Sequence, residues 1–205
     1  MALTLTQLER QLELDLDWRH AELAIFREML TLDTVTAVRK SVLFRGAWAL
    51  LYAHYEGFSK YALQLLADYI KTLPDCARLA HPTFLFFHER SIREARSLSA
   101  AAAYEFFRVK IDELKRTSPP EIQIDTKSNL WPSLLGELLS AMDLGTYGVI
   151  DQPELIKTLV ARRNDIAHGQ KVFISDVTYY LEYENAARNL MYALALAVMD
   201  RAGKY

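Results

Sequence analysis

Between residues 34 and 72 the chain contains no proline, and within that stretch residues 42–58 are apolar around nearly the whole circumference of the helix they would form. Most surface helices bury one stripe and keep a polar face for water, so a helix that is greasy on all sides must be enclosed by other elements. It belongs at the centre of a bundle. Only seven glycines and six prolines occur in 205 residues, which leaves few of the turns that a β-sandwich or barrel needs. A chain of this length, 51% hydrophobic, suffices for one well-packed core and is short for two. The expectation is an all-α, single-domain helical bundle over residues 1–205, with long central helices.

The other helices can be placed by their start and stop signals. Thr6-Gln7-Leu8-Glu9 has the spacing of a capping box, and Leu8, Leu12, Leu16, Leu23, Phe26 and Leu30 follow at helical intervals, which predicts a first helix to about Leu32. Leu73-Pro74-Asp75 ends the central helix and His81-Pro82 makes a second break, with helical patterning from Phe84 to Leu98. Residues 100–115 are strong helix formers, stopped by Thr117-Ser118-Pro119-Pro120. Residues 121–128 alternate apolar and polar side chains, as an extended loop or a short strand does. Trp131-Pro132 opens a helix to Leu144, and Pro153 opens another that Gly169 ends. Ser175-Asp176 caps a last helix striped by Val177, Tyr180, Leu181, Ala187, Leu190, Met191, Leu194 and Val198.

Composition narrows function as well. A single cysteine, Cys76, excludes an intramolecular disulfide and suits a reducing compartment. The start Met-Ala-Leu-Thr-Leu-Thr lacks the layout of a signal peptide and no apolar run reaches the length of a membrane span, so a cytoplasmic location is expected, with no membrane partner. The net charge of −2 and pI near 6.2 supply no general basic field for nucleic acid. Any RNA must be held by a local patch, with Arg162, Arg163 and Lys171 or Arg39, Lys40 and Arg45 as the available cations. His20, His54, His81 and His88 include no pair at the i, i+4 spacing of a helical metal site, and no glycine-rich phosphate loop or paired-cysteine motif occurs, so neither metal nor cofactor is expected. Tyr52, Tyr55, Tyr61 and Tyr69 recur at helical spacing and read as packing residues, as His54 does.

One short run carries chemistry. In Arg163-Asn164-Asp165-Ile166-Ala167-His168-Gly169 a permanent cation stands a few residues from a group that titrates near neutrality, a pairing suited to breaking phosphodiesters. The spacing alone is weak, since about one such match arises by chance in a chain of this composition. The placement of Arg163 adds to it. On a regular helix Leu155, Ile156, Leu159, Val160, Ile166 and Ala167 cover an arc of about 140°, with Arg163 near its middle. An unpaired guanidinium there would cost several kcal/mol, so an anion must meet it. Glu56, stranded in the apolar stretch of the central helix, is the expected partner. Asn164 and His168 share a face about 140° away from Arg163, unless Gly169 unwinds the helix end.

The run Leu159-Val160-Ala161-Arg162-Arg163-Asn164-Asp165-Ile166-Ala167-His168-Gly169 resembles the signature of the HEPN superfamily (higher eukaryotes and prokaryotes nucleotide-binding), helical bundles whose Arg-x(4–6)-His motif marks metal-independent ribonucleases. Tyr52-Ala53-His54-Tyr55-Glu56-Gly57-Phe58-Ser59-Lys60, and Ser128-Asn129-Leu130 leading to Leu138-Leu139 and Leu144-Gly145, resemble its MAE-like branch, often associated with toxin–antitoxin or defence loci. The resemblance runs from about residue 42 to the C-terminus and is poorest over an insert at about 80–127, residues 91–120 above all.

What the resemblance implies is an endoribonuclease acting as a homodimer, with two copies of the motif forming one composite cleft, and with an antitoxin or operon partner protein as a further expected partner. In that setting His168 is the acid or base toward the ribose 2′-OH and the 5′-oxygen. Arg163 steadies charge on the phosphorane, and Asn164 orients the histidine or the phosphate. Glu56 holds Arg163 in its rotamer, and Arg162 contacts phosphate or pairs with an acid. Two other outcomes stay open: a non-catalytic HEPN interaction or dimerisation module, and a nucleotide-binding accessory partner of a nucleotidyltransferase. The latter is disfavoured because resembling partners of that kind commonly carry tyrosine where this chain has His168.

Overall fold

The computed structural model describes residues 3–32, 36–95, 97–146 and 148–205. Its long helices are α1 (Leu5–Thr31), α2 (Ala37–Ile70) and α9 (Val177–Ala202), with α8 (Pro153–Ala167) packed on α2 and α9. Between them lie α3 (His81–Phe87), α4 (Glu89–Ala95), α5 (Ala100–Glu105), a π-helical turn (Phe106–Lys110), α6 (Ile111–Lys115) and α7 (Pro132–Ala141). No strand occurs among the described residues, and none of the described helices is long and apolar enough to cross a membrane.

The greasy stretch does form the centre. α2 touches α1, α8 and α9, and buries Phe44, Ala47, Trp48, Leu51, Tyr52, Tyr55 and Phe58 among others. Contacts along the helices fix their directions. Gln11 meets Tyr61 and Phe26 lies against Gly46, so α1 runs antiparallel to α2. Trp48 packs on Tyr183 and Phe44 on Tyr180, so α9 runs parallel to α2. Trp48 Nε1 donates to the Leu159 carbonyl at 3.0 Å and Arg163 reaches Glu56, so α8 packs against the middle of α2. That packing sets the motif helix against the central one.

Several boundaries differ from expectation for local reasons. α1 starts two residues earlier than the Thr6 box implies, because Thr4 and Gln7 form the reciprocal box instead. Gln7 N donates to Thr4 Oγ1 at 3.3 Å and Thr4 N to Gln7 Oε1 at 3.0 Å. The start near residue 34 lies outside the described residues; α2 is described from Ala37, capped by Thr36. His88 divides the expected helix from Phe84 onward into α3 and α4, and the expected helix over 100–115 is α5, the π turn and α6 in succession. Residues 121–126 take neither helix nor strand. α7 ends at Ala141 rather than Leu144, because Asp143 adopts the left-handed conformation (φ 54°) and Leu144 N closes back on the Leu139 carbonyl at 2.8 Å.

A buried charge lies at the α1–α9 seam. Glu184 is 1% exposed, with Arg27 at 3.2 Å and Arg188 at 3.9 Å. Burial raises its pKa above the usual carboxylate range, and the two arginines pull the other way.

Candidate functional site

α8 begins with Pro153 at its first turn, where the missing N–H is no loss, and ends in a Schellman turn. Gly169 takes φ +79°, its N–H donates to the Ile166 carbonyl at 3.0 Å, and Gln170 N donates to Asp165 at 2.8 Å. His168 is the capping residue itself, its N–H still bonded to Asn164 at 2.9 Å. The helix therefore stays regular through the whole motif. Arg163 points at α2, half-buried, whereas His168 stands exposed, and the two side chains make no hydrogen bond to each other. Among the described residues the His168 ring bonds to no protein group.

The guanidinium of Arg163 is held on four sides. Its Nη1 donates to Asn164 Oδ1 and to Asn129 Oδ1, both at 3.0 Å, and its Nη2 lies 3.4 Å from Glu56 Oε2. Beneath it the Tyr52 ring centroid is 3.9 Å from Cζ, a cation–π contact. Three of the five N–H donors of an arginine are thereby engaged, and Nε with the second Nη2 hydrogen has no acceptor among the described residues. With side-chain exposures of 24% for Arg163 and 19% for Glu56, the pair sits at the surface of the bundle, not sealed inside it. Because a guanidinium only donates, both asparagines turn their carbonyls toward it and leave their NH₂ groups outward.

Asn129 and Tyr52 belong to this constellation although the sequence reading assigned neither a role in it. Asn129 is delivered by an unusual loop. Lys127 and Ser128 both have positive φ (49° and 67°), and Lys127 N donates to Asp125 Oδ1 at 2.8 Å. Just beyond, Leu130 is clamped on both sides. Its N–H donates to the Tyr52 hydroxyl at 3.0 Å, and its carbonyl accepts from the Tyr55 hydroxyl at 3.0 Å. Two consecutive non-glycine residues in a sparsely populated region persist only where the surroundings over-determine them. Here the two tyrosines of α2 do so. Burial pushes the Tyr52 pKa up to about 12, the Leu130 N–H pulls it down and Glu56 raises it further, so the phenol stays protonated near neutral pH.

Arg162 pairs with no acid among the described residues. Its guanidinium lies over the edge shared by the stacked rings of Tyr179 (5.0 Å) and Trp48 (5.4 Å), and Nη1 donates to the Phe173 carbonyl at 3.4 Å. Stacking of this kind leaves the charge intact while fixing the side chain. His54 is 2% exposed and sits in a separate cluster: Arg19 Nη1 at 3.4 Å from Nδ1, Glu22 Oε2 at 3.0 Å from Nε2 but off its N–H axis, and Trp18 edge-on. Burial and Arg19 lower its pKa. That is a packed core histidine at the α1–α2 crossing, where Gly57 leaves room for Arg19, since a Cβ there would meet Nη1 at 3.0 Å.

The arrangement can hold an oxyanion between the unused donors of Arg163 and the outward amides of Asn129 and Asn164. It cannot by itself bring His168 to the same atom, since the regular helix turns the two motif side chains apart. Compared with known proteins, no curated protein and no solved structure matches the chain. The family model HEPN_MAE_28990/-like HEPN matches residues 8–205, nearly the whole length and including every element of the site. With this helical architecture and that match, the chain belongs to the MAE_28990-like HEPN family.

Proposed function

We propose that this protein is a metal-independent endoribonuclease whose site is completed when two copies bring Arg163 of one and His168 of the other to a shared phosphate. The observation that supports it best is the unsaturated guanidinium of Arg163, steered by Glu56, Asn129 and Asn164 yet left with donors to spare. In one chain His168 is exposed and apart, which is the disposition a composite site requires. His168 takes the proton of a ribose 2′-OH or gives one to the departing 5′-oxygen, a contribution of about 10²- to 10⁴-fold. Arg163 steadies the charge on the equatorial oxygens and the asparagine amides complete the cradle. Attack by a 2′-OH leaves a cyclic phosphate and spares DNA.

Glu56 cancels much of the charge of Arg163, so attraction of RNA falls to Arg162, Lys171 and the second copy. We infer a cytoplasmic toxic or defence role in a paired system, with a neutralising partner protein, from family membership. A second reading, a non-catalytic interaction module, is favoured by one observation: Arg163 ties α8 to α2 and to the loop at Asn129, as a purely structural residue also does.

Cleavage of single-stranded RNA in EDTA by wild type and His168→Ala separates the two. The enzyme reading expects a cyclic-phosphate product from wild type and a loss of 10²-fold or more in the variant (about the acid–base contribution above), with both sedimenting as the same oligomer. Equal rates would sink it in favour of the interaction module.

A further inference from the structure

The segment that joins α8 to α9 presents an aromatic ring to solvent on a pinned backbone. Over residues 171–175 exposure alternates: Val172 is half-buried and Ile174 buried, whereas Lys171, Phe173 and Ser175 are exposed. Phe173 is 76% exposed. A ring so exposed would ordinarily mark a loose loop, but this one is held from three directions. The Schellman turn at Gly169 closes one end, and Asp176 caps α9 at the other by accepting from Tyr179 N at 2.9 Å. Between them the Phe173 carbonyl accepts from Arg162, itself held against the rings of Trp48 and Tyr179.

The surroundings of the ring point to one kind of ligand. A protein-docking surface is a continuous apolar patch. Here the exposed neighbours in the chain are His168, Gly169, Gln170, Lys171, Ser175 and the acid Asp176, so no second exposed apolar side chain flanks the ring in sequence. A lone π-face beside cations suits a single-stranded nucleic acid, in which bases stack on aromatic side chains while the phosphates meet lysine and arginine.

We propose that Phe173 is a nucleobase-stacking subsite for single-stranded RNA, with Lys171 meeting the adjoining phosphate. It lies next to His168 in the chain and so selects which nucleotide of an unpaired stretch is presented near the cleavage centre. The subsite rests on the ribonuclease reading for its substrate class.

The test is binding of a short, uncleavable 2′-O-methyl oligonucleotide of mixed sequence, followed by anisotropy, with wild type, Phe173→Ala and Phe173→Trp. Alanine should weaken binding about 5- to 100-fold, the range that follows from removing one base–aromatic stack. Tryptophan should bind at least as well as wild type. An oligonucleotide abasic at one position should lose the same factor with wild type and nothing further with Phe173→Ala. Equal binding by wild type and Phe173→Ala overturns the subsite, as does a loss accompanied by a smaller oligomer in sedimentation, which would place the ring in a protein interface. Failure of wild type to bind any RNA overturns both this subsite and the ribonuclease reading. Binding that follows Phe173 in a protein that never cleaves RNA leaves the subsite standing and removes the enzyme.

Discussion

On the proposed ribonuclease activity, Arg163→Ala should lower RNA cleavage by about 10²- to 10³-fold, the effect of removing one preorganised donor from a developing oxyanion. Arg163→Lys should recover little of it. An ammonium cannot reach Asn129, Asn164 and Glu56 together from one planar fork, nor lie flat over the Tyr52 ring as the guanidinium does. Stability should fall only modestly, by about 1–2 kcal/mol, because Glu56 is near enough to water to be rehydrated when its partner goes. The informative measurement is therefore a pair: single-turnover cleavage and urea unfolding on the same preparation. A structural pin would lose stability and keep the rate per folded molecule, whereas the catalytic assignment needs the rate to collapse while the bundle stays folded.

Arg27→Ala should destabilise the bundle by stranding a buried carboxylate. Glu184 is 1% exposed on α9, and Arg27 is its nearest cation. Breaking a buried pair from one side strands the other charge, at a cost of about 2 kcal/mol here, below the usual range because Arg27 is itself 39% exposed and Arg188 remains 3.9 Å away. The loss should depend on pH. Burial already raises the Glu184 pKa, so the native state keeps this proton to higher pH than the unfolded chain does. Stability then declines as pH rises through the window between the ordinary carboxylate pKa and the raised native one. Removing Arg27 lifts the native pKa further and widens that window upward, so the penalty at pH 7.5 should exceed that at pH 5. Glu184→Gln should be nearly neutral and should erase the difference between the two pH values. Equal penalties for Arg27→Ala at both would mean that Arg27 does not move the native pKa of Glu184.

What could be read from the chain before the fold was known divides along physical lines. Period and composition place α2 at the centre, since a helix greasy on all sides has nowhere else to go, and the same logic flags Arg163 and Glu56 as two charges each stranded on an apolar face. The ends of α8 are equally legible, because Pro153 and Gly169 act through local backbone geometry. The family likewise shows in the motif and its flanks. Asn129 was not legible as a partner of Arg163, because its position depends on Lys127 and Ser128 adopting positive φ against their preference, under the hold of two tyrosines more than 70 residues earlier. The end of α7 was misplaced for a related reason: Asp143, not the nearby Gly145, makes the reversal. The start of α1 was read from the box at Thr6, whereas the chain caps at Thr4, with Leu8 N on the Thr4 carbonyl. The division of Arg163 and His168 between two sides of a helix follows from the angular spacing of the residues.

α5, the π turn and α6 fully bury no side chain, with Ala103, Phe106, Ile111 and Leu114 only half-buried, and the excursion is fastened at its far end by Cys76 N on the Lys115 carbonyl and Ser118 Oγ on Pro74. A helix with so shallow a packed face has little beyond its own marginal propensity to keep it wound. The molecule thus has two clocks: amides of residues 100–115 exchange with solvent through brief local opening, while those of α2 wait for the whole bundle to come apart. Sequence drift, insertions or a reporter dye in that excursion should leave the slow clock, and the Arg163 constellation built on it, untouched.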